Sequence, residues 1–78
     1  MTIQVLFFAG LRERFGEREL RLELSSPHTV KGLAERLEHD YQLSLEGALV
    51  AVNEHYVSLD YLLVDGDVLA LFPPVAGG

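Results

Sequence analysis

The chain has 78 residues, 49% of them hydrophobic, no cysteine and a formal charge of −6. That length holds one domain, and a chain so small buries only roughly 60% of the surface it exposes when unfolded, so nearly every apolar residue is needed in the core. The acidic balance argues against nucleic acid or an anionic membrane as a partner and suits a basic protein surface, while the lack of cysteine excludes a disulfide framework, a thiolate metal site and a thiol nucleophile.

In chain order, Thr2 to Phe8 reads as a strand with Ile3, Val5 and Phe7 on one face and Gln4, Leu6 and Phe8 on the other. Gln4 marks the second face as the more exposed. The apolar opening from Ile3 to Gly10 is too short, and too poor in preceding positive charge, for a signal peptide or membrane span, so a cytoplasmic location is expected. Gly10 to Gly16 brackets a short turn of helix, with Leu11 and Phe15 inward and Arg12, Glu13 and Arg14 outward. Glu19 to Leu24 alternates, leucines at 20, 22 and 24 against charged residues, which predicts a half-buried strand.

Pro27-His28-Thr29 leads into the main helix, predicted over Thr29–Asp40, with Thr29 as its cap. Val30, Leu33, Ala34, Leu37 and Tyr41 follow helical spacing and form the expected core stripe. Gly32 inside this helix costs about 1 kcal/mol relative to alanine, which a close helix–sheet approach would explain. Ala48 to Val52 reads as a buried strand ending at Asn53, a residue tolerant of a left-handed turn. His55 to Ser58 is a short return strand, and Asp65-Gly66-Asp67 a turn feeding the last strand, Val68 to Phe72. One long helix among five strands predicts an α+β fold, a mixed sheet wrapped around one face of that helix.

Inside this domain the sequence offers no convincing active site. His28, His39 and His55 lack metal-ligand spacing, so no metal site is expected. No glycine-rich phosphate loop follows a strand. Asp65 and Asp67 read as turn residues, and neither they nor Glu35, Glu38 and Asp40 have a base or nucleophile beside them.

The chemistry lies at the end. Pro73-Pro74-Val75-Ala76-Gly77-Gly78 follows the last apolar strand. The prolines fix φ near the polyproline II value and donate no N–H, so sheet pairing should stop there and the tail should leave extended. Such a tail, residues 73–78 beyond a domain of residues 1–72, reaches about 20 Å at most. Gly77 and Gly78 pass a channel that would reject a Cβ, leaving the Gly78 carboxylate as the reactive group. A carboxylate needs activation, for instance as an acyl-adenylate, and can then accept sulfur to become a nucleophilic thiocarboxylate. The plain alternative is a frayed, inert terminus on an interaction domain.

Val52-Asn53, Leu63-Val64-Asp65-Gly66-Asp67-Val68, the ending Phe72 to Gly78, and the opening Val5-Leu6-Phe7-Phe8-Ala9 with Arg12-Glu13 resemble the family of molybdopterin synthase small subunits. The resemblance covers essentially the whole chain. Its specific part is the Pro-Pro-Val-x-Gly-Gly ending; the Asp-Gly-Asp turn is shared with thiamine-pathway sulfur carriers. Val68 departs from it, standing where relatives often carry a charge. The resemblance implies a ubiquitin-like β-grasp fold with a flexible Gly-Gly tail and a role as a sulfur carrier in molybdenum cofactor biosynthesis. It implies that a ubiquitin-activating-type adenylyltransferase uses ATP on Gly78, and that a sulfurtransferase system makes the thiocarboxylate. The tail then enters the large synthase subunit and donates sulfur to cyclic pyranopterin monophosphate. It assigns Gly78 as the sulfur-bearing residue, Gly77 as the channel-threading one, and Phe8, Tyr56 and Phe72, with Pro73, Pro74, Val75 and Ala76 of the tail, as contacts to the large subunit. No cofactor is expected to reside in the carrier. A tRNA-thiolation or thiamine carrier, or a ubiquitin-like protein modifier, would use the same terminus.

Overall fold

The computed structural model describes residues 1–74. Its elements are β1 (Thr2–Phe7), α1 (Ala9–Phe15), β2 (Glu19–Glu23), α2 (Val30–Tyr41), β3 (Leu49–Val52), β4 (His55–Tyr56) and β5 (Val68–Phe72). The strands form one mixed sheet in the order β2-β1-β5-β3-β4. The first and last strands lie parallel at its centre, and every other pairing is antiparallel.

The period-two alternation of the apolar residues decides what each face does. Ile3, Val5 and Phe7 of β1 and Leu69 and Leu71 of β5 are buried, and α2 lays Val30, Leu33 and Leu37 over them. Leu11, Leu24, Leu43, Leu45 and Leu63 close the rim of the same core. Phe7 stacks on Phe15 of α1 with ring centres 4.2 Å apart.

Helix α2 begins where its cap predicts. Thr29 is extended, and its Oγ1 accepts the Gly32 N–H at 3.0 Å. The next orphan donors find the loop before β5, Val30 N–H reaching the Tyr61 carbonyl and Lys31 N–H that of Leu59. This corrects the reading of Gly32: a Cβ there would meet only Thr29 Oγ1, at an ordinary contact distance of 3.4 Å, so the sheet makes no close approach that requires glycine. Tyr41 is also corrected. It ends the helix, packs edge-on against Phe15 and stays 42% exposed, a place that keeps its hydroxyl in water.

Three strand ends differ from the periodic reading. Phe8 lies past β1 as the N-cap of α1, and Leu24 lies past β2 yet is buried. β3 starts one residue late, at Leu49, and of its residues Val52 is buried in the core while the small Ala51 is largely covered on the opposite face. The return strand is cut to His55–Tyr56. The hairpin joining β3 to β4 has positive φ at both central residues, Asn53 (+50°) and Glu54 (+71°), as a two-residue connection between twisted strands requires.

The turn before β5 is held by a small polar network. Gly66 has φ +88°, and Asp67 N–H donates to the Val64 carbonyl at 3.1 Å. Asp67 is 4% exposed, and its carboxylate accepts from Val64 N–H at 2.8 Å and Asn53 Nδ2 at 2.9 Å. Asn53 Oδ1 accepts in turn from Val68 N–H at 3.0 Å. Both aspartates are thus turn residues, as expected, and Asp67 is a buried clasp between two loops.

Candidate functional site

The sheet face turned away from α2 carries a different set of side chains. The strand registers align Leu6, Ala70, Ala51 and Tyr56 across β1, β5, β3 and β4. On one side of this row lie Gln4 and Val68, and on the other Phe72 opposite Leu49. Two alanines in the middle and larger groups outside make a shallow groove lined also by Phe8, Asn53 and Glu54.

Phe8, Tyr56 and Phe72 all border this groove. Phe8 and Phe72 stack with ring centres 4.6 Å apart and planes 13° from parallel, so they form one aromatic plate. Phe8 is 39% and Tyr56 74% exposed, and Phe72 is half-buried. None of the three is in the core. Leu49, another large apolar residue on this face, is 42% exposed. A continuous apolar surface on so small a domain is a feature of docking sites more than of free surfaces.

Leu6, Ala51 and Ala70 belong to this surface and were not singled out from the sequence. The alternation of β1 and β5 carries the signal for Leu6 and Ala70. Ala51 was hidden because β3 reads as apolar throughout.

The groove leads to the tail. Phe72 is the last residue of β5, and Pro73 and Pro74 continue from it without a strand assignment. The remaining candidate residues, Val75, Ala76, Gly77 and Gly78, lie outside the described residues. Among the described residues no three histidine, aspartate or glutamate side chains cluster as a metal-ligand set, and no helix is long and apolar enough to cross a membrane. The titratable group with a clear perturbation, Asp40, is remote in kind: His39 and then Arg36 donate hydrogen bonds that hold its carboxyl below the ordinary value of 3.8, on an exposed helix face.

A five-stranded mixed sheet grasping one helix, with an apolar open face beside an outgoing C-terminal strand, defines the ubiquitin-like β-grasp class. Within it, the chain belongs to the ThiS family, whose model matches residues 5–78. It is 42% identical over 81 aligned residues to the molybdopterin synthase sulfur carrier subunit of Escherichia coli, covering 97% of this chain and 99% of that one. It is 30% identical to small archaeal modifier protein 3 of Haloferax volcanii over the full length of both. Among solved structures, it is similar to a chain in the Helicobacter pylori complex of subunits 1 and 2 of the molybdopterin-converting factor. The TM-score there is 0.72, with 31% identity and complete coverage of both chains.

Proposed function

We propose that this protein is a sulfur carrier for molybdenum cofactor biosynthesis, the small subunit of a molybdopterin synthase. The observation that carries the reading is the joining of two features: an apolar open face, and a strand on that face that runs straight into Pro73-Pro74 and a Gly-Gly end. The full-length similarity to a sulfur carrier subunit, and to a chain solved as a complex with its second subunit, supports the same reading.

In this mechanism the domain supplies position and the terminus supplies chemistry. The Gly78 carboxylate attacks the α-phosphorus of ATP in a separate, ubiquitin-activating-type adenylyltransferase, and pyrophosphate leaves. The persulfide of a sulfurtransferase then displaces AMP to form an acyl disulfide, and a thiol cleaves its S–S bond, leaving the thiocarboxylate and a disulfide. Docked on the large subunit, the thiocarboxylate sulfur attacks a side-chain carbon of cyclic pyranopterin monophosphate, an oxygen substituent leaves that carbon, and two carriers used in turn supply the two sulfurs of the dithiolene. Hydrolysis of the resulting acyl link returns the carboxylate. Phe8, Tyr56 and Phe72 supply desolvated apolar contact to the large subunit, and residues 73–78 span from that contact to the reaction centre. The carrier itself holds no cofactor, and the cytoplasm, where ATP is at hand, is the compartment for these steps.

The test is intact-mass analysis after incubation with ATP, the activating enzyme and a sulfur source. A gain matching one oxygen exchanged for sulfur, located on Gly78, is the predicted result, followed by formation of molybdopterin when the large subunit and substrate are added. Deleting Gly78 should abolish both steps without changing Tm. If the complete set of partners yields neither adenylate nor thiocarboxylate at Gly78, the reading fails.

A second reading, a protein modifier joined through the same glycine, is favoured by the similarity to the archaeal modifier. It predicts isopeptide-linked conjugates on lysine in cell extracts, which mass spectrometry would detect.

A further inference from the structure

The tail's root is not simply the place where pairing stops. Leu49 lies opposite Phe72 in the β3–β5 register, and two further steps along that antiparallel register bring Gly47 opposite Pro74. Prolines donate no ladder hydrogen bond, so the pairing is weakened there and the alignment depends largely on contact. The two come close: a Cβ added at Gly47 would lie 3.4 Å from Pro74 Cβ and 3.7 Å from its Cγ, at van der Waals distance, so any longer side chain there would bear on the proline ring.

Gly47 is itself held firmly. It has φ +75° and is the third residue of a turn closed by Ala48 N–H to the Leu45 carbonyl at 3.0 Å. Leu45 is buried, and its N–H donates to Glu38 Oε2 of α2 at 2.8 Å. The Glu38 carbonyl accepts the Gln42 and Leu43 N–H groups as well, so the helix end and the start of this connection share one anchor. A path of fixed groups therefore runs from α2 through Glu38, Leu45 and Gly47 to Pro74. Gly16 and Gly66 also have positive φ, but a Cβ at either would meet nothing within 4 Å.

We propose that Gly47 is a positioning residue for sulfur transfer: the Leu45–Ala48 turn sets the direction in which the tail leaves the domain, and Glu38 acts through that turn. The proposal rests on the sulfur-carrier reading, because direction matters only if the chain end must reach a reaction centre. Four residues beyond Pro74 span about 13 Å when extended, so a tilt of roughly 10° at the root moves the tip by about 2 Å. Misplacing reacting groups by about 1 Å can cost on the order of a hundredfold in rate.

The test is single-turnover sulfur transfer from preformed thiocarboxylate carriers at saturating large subunit, with Tm and large-subunit Kd measured in parallel. Gly47→Asn and Gly66→Asn impose the same left-handed strain, and asparagine tolerates it. Only the first places a side chain against Pro74. Both should lower Tm alike, while Gly47→Asn slows transfer roughly tenfold or more and leaves Kd within about twofold. Pro74→Gly removes the ring that the asparagine presses on, so the two changes together should slow transfer by less than the product of their separate effects. Glu38→Ala should slow transfer in the same way, and Glu38→Gln, which keeps an acceptor for Leu45 N–H, should restore it. Transfer by Gly47→Asn and Glu38→Ala at the Gly66→Asn rate would overturn the proposal. So would additive effects of Gly47→Asn and Pro74→Gly, or the absence of a nuclear Overhauser contact between Gly47 Hα and the Pro74 ring. An inactive wild-type thiocarboxylate would overturn the functional reading itself and this proposal with it; an active wild type beside an unimpaired Gly47→Asn would overturn the proposal alone.

Discussion

Strand β5 has two kinds of surface in five residues. Leu69 and Leu71 are fully buried beneath α2, while Val68, Ala70 and Phe72, alternating with them, stay half open on the other side. β1 repeats the division, with Ile3, Val5 and Phe7 inside and Gln4 and Leu6 half open. Both faces are mainly apolar, so hydrophobicity alone does not say which one folds the chain. What separates them is coverage. One has a helix whose leucines fill it, and the other has only small residues at its centre and aromatic groups at its margin. A chain of this size cannot leave apolar surface uncovered without losing stability it has little of. An uncovered face is therefore best understood as one that a partner covers.

Substitutions can separate the two faces. On the closed face, Leu33→Ala or Leu37→Ala should cost roughly 2–5 kcal/mol, a large share of the stability of so small a domain. Thermal denaturation would show it, as a fall in Tm of about 4–8 °C per kcal/mol. On the open face, Phe72→Asp or Phe8→Asp should weaken large-subunit binding by roughly 2 kcal/mol or more, read by calorimetry, with a much smaller change in Tm. Unfolding of the free domain by either change would place those rings in the core and erase the distinction between faces.

The clasp between the loops should fall between these cases. Asp67→Ala leaves the Val64 N–H and the Asn53 amide without their acceptor in a part-buried place, at a cost of about 1 kcal/mol in denaturant unfolding. Large-subunit affinity should be little altered in the folded fraction. The smallest effect is expected at Asp40. Its carboxyl is held below 3.8 by His39 and Arg36. A lowered folded-state value means that its contribution is present above 3.8 and is lost as pH falls through the lowered value. Because the group is exposed to solvent, Asp40→Asn should leave Tm at pH 7 nearly unchanged.

Much of the closed face was legible because its residues obey one period at a time. The leucines of α2 at 33 and 37 and the odd-numbered residues of β1 have no competing reading. Thr29 announced the helix start through its own capping chemistry, and the Asp65-Gly66-Asp67 turn through glycine's tolerance of positive φ. Tyr41 kept the helical spacing, but spacing cannot tell that α1 offers Phe15 at the domain's rim. Gly32 was assigned to a helix–sheet approach, but its nearest neighbour outside the helix backbone is the cap three residues away. The open face was only partly visible. Phe8, Tyr56 and Phe72 stand out as large rings, whereas Ala51 and Ala70 make the groove by being small, which a sequence shows only after the register is known. Gly47 was least legible, since its meaning depends on Pro74, distant in sequence and adjacent in space.

The most direct measurement of this division of labour is amide hydrogen exchange, residue by residue, on the free carrier and on its complex with the large subunit. Protection should appear on binding at Leu6, Phe8, Leu49, Tyr56, Ala70 and Phe72 and along Val75 to Gly78, while the amides of α2 keep the exchange rates of the free protein. Protection gained along α2 and none on the open face would contradict the account, because the partner would then be covering the wrong side of the sheet.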